Sequence, residues 1–325
     1  MKYKPPFRIT DKIVAFIAGI SEQIGRVSAI HSHTFTPRLR KENRIRTIHS
    51  SLAIEQNTLS LEQVTAVLNG KRVLGNPSEI QEVKNAYDAY DMILELDPLS
   101  VRDLLTAHRL MMKDLVSENG RFRSGAVGVF NDRELIHLAP PADLVPHQID
   151  DLMQWYRTCE VHPLVKSAVF HYEFEFIHPF SDGNGRIGRM WHSLLLGQWK
   201  QLFFWLPVEE LIRSEQQKYY QALGRADQSG DSTLFVEFML EIIERTLASI
   251  LVTDQVNDQV SDQVKKLLSV MGSEALTATE LMRRLKLTHR PTFRKNYLNP
   301  ALEDGLIERT VPDKPHSRNQ KYRKK

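Results

Sequence analysis

One short stretch of the chain, from His178 to Arg189, concentrates side chains that could carry out chemistry. It contains Gly183, Asn184 and Gly185 just before an apolar run with helical spacing, so these residues lie where a helix begins. The first N–H groups of a helix have no partner within the helix, and the helix dipole adds partial positive charge. Glycine lets an anion approach the backbone closely. The stretch therefore predicts a binding site for an anion such as phosphate.

Four titratable or charged side chains surround this predicted anion site. Arg186 and Arg189 are three residues apart, so they emerge on one side of the helix and could hold the outer phosphates of a nucleotide. Asp182 directly precedes the glycines, where a carboxylate could hold a Mg²⁺ ion that bridges those phosphates. His178, at the other end of the loop, is the candidate proton acceptor. Together these groups indicate phosphoryl or nucleotidyl transfer, although a lone His-Pro or Gly-x-Gly is usually only a helix end or a turn.

Two buried helices are predicted to position the loop. Apolar residues before and after it recur with the spacing of one helical face. The chemistry-bearing loop is therefore held between two packed segments. The apolar positions are Val165, Ala168, Val169, Tyr172 and Phe176 before the loop, and Ile187, Met190, Trp191, Leu194 and Leu195 after it.

At every specified position, residues 178–189 match the signature His-x-Phe-x-[Asp/Glu]-Gly-Asn-Gly-Arg-x-x-Arg. The chain thereby resembles the Fic (Fido-fold) enzymes over roughly its first 250 residues. The resemblance implies a mainly α fold, with a helical core and a β-hairpin called the flap. Most of the family transfers AMP from ATP to a protein hydroxyl. The resemblance therefore implies a protein adenylyltransferase with ATP as substrate, Mg²⁺ as the metal and a target protein that presents Ser, Thr or Tyr.

An inhibitory helix is also implied by the resemblance. The family pattern [Ser/Thr]-x-x-x-Glu-[Gly/Asn] matches Ser51 and Glu55 on a second predicted helix, whereas Gln56 departs from it. A carboxylate against Arg189 would form a bidentate pair and take that arginine from the γ-phosphate. The alternative is that Glu55 is an ordinary exposed helix acid. We expect inhibition because the pattern precedes a matched catalytic motif.

The region from Gly120 to Pro141 breaks the helical pattern. The β-prone runs 126–130 and 135–138 flank Asn131-Asp132-Arg133-Glu134 and predict a hairpin. In the family this position holds the flap, whose exposed edge pairs with the target segment, and such pairing relies on main-chain hydrogen bonds. The alternative is a hairpin that only covers the core. The predicted flap residues are Val127, Gly128, Val129 and Phe130.

A helix predicted from Pro207 to Leu223 carries the pair Tyr219-Tyr220. The pair resembles the adenine-side wall of the family's nucleotide site, and the second tyrosine is the usual contact. Tyr220 is therefore a stacking candidate, with core packing as the alternative. Asp227 stands where the family often has an asparagine near the nucleotide, and we carry that role over only weakly.

Composition limits the remaining function classes. The 325 residues are 42% hydrophobic and 26% charged, which suits a globular protein of one large and one small domain. The one cysteine, Cys159, excludes an intramolecular disulfide and fits a reducing cytoplasm. We expect no secretory signal and no membrane role, because no apolar segment reaches the span of about 20 residues.

The C-terminal part differs in charge from the rest. From Thr279 to Lys325 there are 13 Lys or Arg and 5 Asp or Glu, a net charge of +8 against +3 for the whole chain. Helices are predicted at 278–287 and 292–302, followed by strands at 306–311 and 319–323, where the last strand begins at Asn319. The pattern resembles a winged helix-turn-helix, in which the second helix enters the DNA major groove. The alternative is a module for dimerisation or target docking.

The predicted organisation has four segments: an N-terminal helical regulatory segment at 1–100, the Fic core at 101–250, a connector helix at 251–264 and the winged-helix-like domain at 265–325. The connector is predicted from Asp-Gln-Val repeats, whose valines form a narrow apolar stripe. Two rival functions stay open. One is other Fic chemistry: transfer of UMP, phosphocholine or phosphate, or AMP removal. The other is a DNA-binding regulator that senses nucleotide without turnover. A homodimer is also left open.

Overall fold

The computed structural model describes residues 3–30, 37–131, 134–272, 274–312, 314, 317 and 320–324. The chain divides into two compact units. The first comprises Met1–Thr34 and Lys41–Leu247, and the second comprises Phe35–Arg40 and Ala248–Lys325. Both units are mainly helical, as the sequence predicts.

Helices and one β-hairpin make up the first unit, with short 3₁₀ turns at Met92–Leu94, Ala142–Leu144 and Gln201–Trp205. Helix α11 continues from this unit into the second. The elements are α1 (Asp11–Ile30), α2 (Pro37–Ile54), α3 (Leu61–Leu68), α4 (Pro77–Asp91), α5 (Val101–Met111), β1 (Gly128–Asn131), β2 (Glu134–Leu138), α6 (Val145–Thr158), α7 (Pro163–Ile177), α8 (Asn184–Trp199), α9 (Val208–Ser214), α10 (Gln216–Ser229) and α11 (Thr233–Val270).

Local sequence signals explain where several of these helices begin. Ser60 and Gln63 form a capping box at the start of α3, in which each side chain binds the other residue's backbone. The Ser100 hydroxyl accepts the Asp103 N–H at the start of α5. Helix α7 begins with Pro163, whose missing N–H would have no partner in the first turn. These ends set the lengths of the helices around the site.

The centre of the first unit is the pair α7 and α8, which pack against each other. Both helices are buried on nearly every side, including at polar and charged positions such as His171 of α7 and Arg189 of α8. Phe170 and Phe174 of α7 and Trp191 and Leu194 of α8 are at most 1% exposed. The loop between the two helices is therefore anchored at both ends by buried, closely packed helices.

Two sequence-based helix boundaries are wrong. The predicted helix Pro207–Leu223 is two helices, α9 and α10, interrupted at Glu215, where φ is −112° and ψ is 27°. The connector helix predicted at 251–264 is not separate but continues the helix before it, and the two form the single helix α11. No glycine or proline lies between them, so nothing in the sequence ends the helix.

The predicted hairpin is present. Strands β1 and β2 are antiparallel, with Gly128 opposite Leu138 and Asn131 opposite Glu134. The register shifts between Val129 and Phe130, as at a β-bulge. The two turn residues at 132 and 133 lie outside the described residues.

The second unit is built on a small sheet of order β3-β5-β4, whose neighbouring strands are antiparallel. The first strand, β3, was not predicted. Strand β4 covers only Ile307–Arg309 of the predicted 306–311, and strand β5 covers Lys321–Lys324 where 319–323 was predicted. The helix predicted at 292–302 contains a π turn at Arg294–Leu298, and Asn319 lies outside the described residues. The elements are β3 (Leu276–Thr277), α12 (Ala278–Arg284), α13 (Arg290–Phe293), α14 (Asn299–Glu303), β4 (Ile307–Arg309) and β5 (Lys321–Lys324).

The second unit has its own apolar core. Residues from α11, the sheet and the short helices are buried together. The sheet thus covers one side of a helical cluster, which is the layered packing expected of a small independent core. The most buried members are Leu267, Leu281, Phe293 and Ala301, with Leu298, Ile307 and Tyr322 beside them.

Candidate active site

His178 ends helix α7 in the left-handed conformation, with φ 49° and ψ 62°. Its backbone N–H still donates to the Phe174 carbonyl at 3.0 Å. The ring Nδ1 lies 3.2 Å from the carbonyl oxygen of Glu175. Because a carbonyl can only accept, Nδ1 carries the proton and the second ring nitrogen, Nε2, is the one able to accept a proton. The half-buried ring is thus set up as a base.

Asn184 braces the loop from inside. Its side-chain oxygen accepts the Phe180 N–H and its NH₂ donates to the Phe180 carbonyl, both at 2.8 Å. Asn184 is 2% exposed, so this amide is committed to holding the loop. What it can offer to an anion is its backbone N–H at the start of α8.

Gly183 is required by both conformation and space. Its φ is +84°, in the left-handed region that favours glycine. A Cβ at this position would also lie 2.6 Å from the sulfur of Met112, which follows α5. The chain can therefore turn into α8 here only without a side chain.

His108, on the buried face of α5, supports the loop and was missed by sequence reasoning. Its Nε2 lies 3.0 Å from the Asp182 carbonyl, its Nδ1 accepts the Gly120 N–H at 2.8 Å, and its ring stacks on Phe180. Burial lowers its pKa to about 4, so the ring is neutral and Nε2 carries the proton that the carbonyl accepts. The available sequence signal was a histidine in line with the buried positions of an amphipathic helix.

Arg186 is one of the two buried arginines that the described residues of α8 contribute to the site, with 5% of the residue exposed. Its Nη2 donates to Asp182 Oδ1 at 2.9 Å, and its Nη1 lies 3.8 Å from Oε1 of Glu82 on α4. Glu82 was also missed by the sequence analysis. The arginine is therefore already oriented by carboxylates before any phosphate is present.

Arg189 is the other buried arginine, with 2% of the residue exposed. Its Nη2 donates to Glu55 Oε1 at 2.7 Å and to the Ser51 carbonyl at 3.0 Å, and its Nε donates to the Ser51 hydroxyl at 3.2 Å. Burial, the largest single effect, opposes its charge, but Glu55, Tyr219 and Glu175 together outweigh it and raise the pKa of Arg189. Two residues at the end of α2, Ser51 and Glu55, thus accept hydrogen bonds from Nε and Nη2 of this guanidinium.

Gly185 explains how Glu55 comes so close to the start of α8. A Cβ on Gly185 would lie 2.4 Å from Glu55 Oε1 and 2.8 Å from Arg189 Nη1. The Glu55 carboxylate therefore lies directly against the first turn of α8, where the free N–H groups and the helix dipole favour an anion. Glu55 is the anion at this position in the present structure.

The turn that carries Glu55 closes α2 in a recognisable C-terminal motif. The Asn57 N–H donates to the Leu52 carbonyl at 3.1 Å, and the Gln56 N–H donates to the Ala53 carbonyl at 3.2 Å. This pattern places the left-handed residue at Gln56, whose φ is 69°. Glycine and asparagine, which the family pattern has at position 56, adopt the left-handed conformation more easily than other residues. Gln56 adopts the same conformation at a steric cost.

Helix α10 adds an aromatic wall beside that turn. Tyr219 is 1% exposed with its hydroxyl 3.2 Å from His171 Nε2, whereas Tyr220 is 43% exposed. Burial, followed by the charge of Glu55, raises the pKa of Tyr220. Asp227 lies two turns further along α10 and is half-buried.

A buried polar layer lies beneath the arginines. Burial raises the pKa of Glu175 to about 7, and Glu175 Oε1 lies 3.6 Å from His171 Nε2. Burial lowers the pKa of His171 to about 3 and also lowers the pKa of His192, so both rings are neutral. A Cβ on Gly188 would lie 2.4 Å from Glu175 Oε1, which shows how closely α7 and α8 approach.

Arg123 links the hairpin to the base. It is 3% exposed and donates to the carbonyl of His178 at 2.8 Å and to those of Ile177, Gly125 and Pro140. Its guanidinium thus ties the segment before β1 to the end of α7.

Asp182 is the candidate metal ligand. Its side chain is 56% exposed, and its Oδ1 accepts the Gly183 N–H at 2.5 Å. Within the described part of the chain, no cluster of three or more His, Cys, Asp or Glu is placed to hold a metal. A single exposed carboxylate beside an anion site still fits Mg²⁺, which is commonly held by one or two carboxylates together with substrate phosphates.

A histidine that can accept a proton, a helix start that favours an anion and the two arginines of α8 are the groups that a transferase acting on nucleotides would need. The model of the Fic/DOC family matches residues 98–196, and that of the Filamentation induced by cAMP protein Fic-like, C-terminal domain, matches residues 262–324. A crystal structure of a Fic family protein from Desulfovibrio desulfuricans is 54% identical, with a TM-score of 0.76 and coverage of 99% of this chain and 98% of that one. The chain belongs to the Fic family.

More distant relatives agree on the family. The protein adenylyltransferase Fic of Culex quinquefasciatus is 32% identical over 221 residues, and that of Drosophila willistoni is 28% identical over 243 residues. The matches cover 65% and 71% of this chain but 42% and 46% of those relatives, so the chain spans less than half their length. Fic-1 from C. elegans, with a TM-score of 0.60 and 23% identity over 75% of this chain and 74% of that one, shares the fold.

No helix in the described ranges is long and apolar enough to cross a membrane.

Proposed function

We propose that this chain is a protein adenylyltransferase that transfers AMP from ATP to a Ser, Thr or Tyr hydroxyl of a target protein, with release of pyrophosphate, and that Glu55 restrains it. The relatives from Culex and Drosophila are named protein adenylyltransferases, which supports the activity. The contact that carries the proposal is the Glu55 carboxylate paired with Arg189 against the start of α8. An anion is favoured there, and a nucleotide phosphate is the ligand that fits it.

The phosphates of ATP would bind at the first turn of α8. The N–H groups of Gly183, Asn184 and Gly185 face the anion, and Arg186 and Arg189 neutralise the remaining charge. Asp182 would hold Mg²⁺, which when bound supplies further neutralisation of the phosphate charge. Tyr220 is exposed enough to stack on the adenine, and Asp227 is retained as a weaker candidate contact on the same helix.

His178 would act as the base. The target hydroxyl gives its proton to Nε2, and the oxygen attacks the α-phosphorus, so that a bond forms there as the bond to the leaving pyrophosphate breaks. The Glu175 carbonyl fixes the tautomer that this step requires. Most of the rate would come from positioning and from charge stabilisation, because transfer at phosphorus needs little further covalent chemistry from the protein.

The β1–β2 hairpin would serve as the flap. Residues Val127, Gly128, Val129 and Phe130 lie on or next to β1, and an extended target segment could pair with the hairpin edge. Arg123 links the segment before β1 to the His178 carbonyl. A hydroxyl on the paired segment would therefore be presented at a fixed distance from the base.

Autoinhibition would follow from competition between two anions. The γ-phosphate of ATP and the Glu55 carboxylate would compete for the Arg189 guanidinium. ATP that binds without a contact to Arg189 would be misaligned for attack. Ser51 contributes by taking Nε and Nη2 of the same guanidinium. Removal of Glu55 should therefore release the activity.

Labelled ATP separates this proposal from other Fic chemistry. With ATP labelled at the α-phosphate, the Glu55→Gly variant should label itself or proteins in a lysate; with γ-label it should not. Transfer of the γ-label would indicate phosphate transfer, which Gly185 disfavours because family members that transfer phosphate depart from glycine there. Mass spectrometry of the product would identify UMP or phosphocholine, and loss of AMP from a modified protein would identify removal. No turnover at all would favour a nucleotide-sensing regulator.

We also propose that the second unit is a winged helix-turn-helix that binds DNA. Cations on α13, the following π turn and β5 are exposed, as expected for contacts with phosphates. The full chain should retain DNA at low salt and lose it steeply as salt rises, because each phosphate contact contributes about 0.9 to the slope of log K against log salt. If the full chain does not bind DNA, or if a variant without these cations binds DNA equally well, the second unit is better explained as a protein-interaction module. The exposed cations are Arg290, Arg294, Lys295, Lys321, Arg323 and Lys324.

We also propose a cytoplasmic location for this chain and leave a homodimer open. The single cysteine of the sequence, Cys159, fits a reducing cytoplasm. Sedimentation of the full chain would show whether it forms a homodimer.

A further inference from the structure

Helix α4 holds the chain immediately after Glu55 with two carboxylates one turn apart. Glu79 accepts the Thr58 N–H at 2.6 Å, and Glu82 Oε2 accepts from the Asn57 side-chain amide at 2.8 Å. The same amide also donates to the Glu79 carbonyl at 3.2 Å, and Asn57 is 8% exposed. The inhibitory turn, defined here as residues 55–57, is thus fastened to α4.

The second oxygen of Glu82 faces the nucleotide site. Glu82 Oε1 lies 3.8 Å from Arg186 Nη1, and the two side chains are 20% and 6% exposed. A charge pair so shielded from water interacts more strongly than one on the surface. One carboxylate therefore contacts a phosphate-binding arginine with one oxygen and the inhibitory turn with the other.

We propose that Glu82 is a positioning residue that couples Arg186 to the inhibitory turn through Asn57. The inference rests on the proposed function, because it takes Arg186 as a ligand of nucleotide phosphate. While Arg186 faces Glu82, the carboxylate is held in the orientation that receives the Asn57 amide. Phosphate that draws Arg186 away frees the carboxylate to rotate, and the inhibitory turn loosens. Productive nucleotide binding and a closed inhibitory turn thus oppose each other.

Glu79 provides a matched control, because it holds the same stretch of chain from the same helix, while its carboxylate contacts Thr58 and not Arg186. Glu82→Gln keeps an oxygen for the Asn57 amide but removes the charge that faces Arg186. Glu82→Ala removes both contacts. Comparing these variants separates the coupling from simple support of the turn.

The first measurement is hydrogen exchange of the Gln56 and Asn57 amides in the full chain, with and without ATP. In the wild type and in Glu79→Ala, ATP should accelerate this exchange by roughly 5-fold or more, the lower end of ordinary couplings between sites. In Glu82→Gln the acceleration should be largely lost. A response to ATP in Glu82→Gln as large as in the wild type would overturn the inference.

The second measurement is ATP affinity in a Glu55→Gly background, where the inhibitory carboxylate is absent. There Glu82→Gln should bind ATP several-fold more tightly because Arg186 has lost a competing charge, whereas Glu79→Ala should bind it as before. Unchanged affinity in Glu82→Gln would count against the coupling. Both readouts need binding only, so a chain that binds ATP, transfers no AMP and yet shows this pattern would reject the proposed function and keep the role of Glu82.

Discussion

Glu55 Oε1 lies 2.7 Å from Arg189 Nη2, and this pair rests against the first turn of α8, where Gly185 has no side chain to exclude it. The guanidinium is buried, and Glu55 supplies a carboxylate in direct contact with it. The pair therefore serves two purposes. It stabilises a buried cation, and it fills the position that a nucleotide phosphate would need.

The first prediction concerns Gln56, which adopts φ 69° at the end of the inhibitory helix. Gln56→Gly should stabilise the inhibitory turn, because a left-handed conformation costs a residue with a Cβ roughly 1 kcal/mol. Amide exchange at Asn57 should slow several-fold, and any transferase activity of the otherwise unchanged chain should fall. Gln56→Ala is the control, because it keeps a Cβ and should not slow the exchange. Equal exchange in the glycine variant and the wild type would show that the turn bears no strain.

The second prediction concerns the base. His178→Ala should lower AMP transfer by about 10²- to 10⁴-fold, the usual contribution of a general base. ATP binding should persist, because the imidazole contacts the hydroxyl proton and not the phosphates. Calorimetric titration with ATP and label transfer in a Glu55→Gly background measure the two effects separately. Activity that survives at more than a few per cent would remove His178 from this role.

The third prediction concerns the buried carboxyl of Glu175, whose pKa burial raises to about 7 from its ordinary value of 4.5. Between these values the folded chain keeps a proton that the unfolded chain releases. Protonation of this carboxyl therefore stabilises the folded chain at low pH. Its contribution to the free energy of unfolding falls by up to about 3 kcal/mol as pH rises from about 4.5 to about 7, and it is fully lost above about pH 7.

Glu175→Gln cannot ionise, so its free energy of unfolding should increase relative to the wild type as pH rises from about 5 to about 8. Glu173, whose pKa burial also raises to about 7, is present in both chains and cancels in this comparison. Urea unfolding at several pH values gives the difference. A difference that does not change with pH would show that Glu175 does not titrate in this range.

Much of the fold follows from the sequence because its helices begin and end at residues with clear chemistry. Ser60, Ser100 and Pro163 are residue types that favour helix starts, and the apolar spacing around the loop predicts the central pair α7 and α8. The interruption between α9 and α10 was missed because neither glycine nor proline occurs at Glu215. The length of α11 was missed because a polar repeat continued an apolar helix without a terminating residue.

The candidate site also has a part that the sequence predicts and a part that it does not. The residues of the loop are contiguous in sequence, so their types and spacing suffice to predict an anion site with a base beside it. The residues that hold the loop come from other helices: His108 from α5 and Glu82 from α4. Their roles depend on contacts between residues 74 and 104 positions apart, which no local pattern encodes. The structure also gives the reason for the unusual Gln56, since its φ is left-handed.

The most direct test of the account measures AMP transfer from ATP in three full-length chains: wild type, Glu55→Gly, and Glu55→Gly combined with Arg189→Ala. If the Glu55 carboxylate restrains the site by occupying Arg189, Glu55→Gly should transfer AMP at least about 10-fold faster than the wild type, which corresponds to about 1.4 kcal/mol in the barrier. The double variant should lose that gain, although His178 is intact. Equal rates for the wild type and Glu55→Gly would contradict the account.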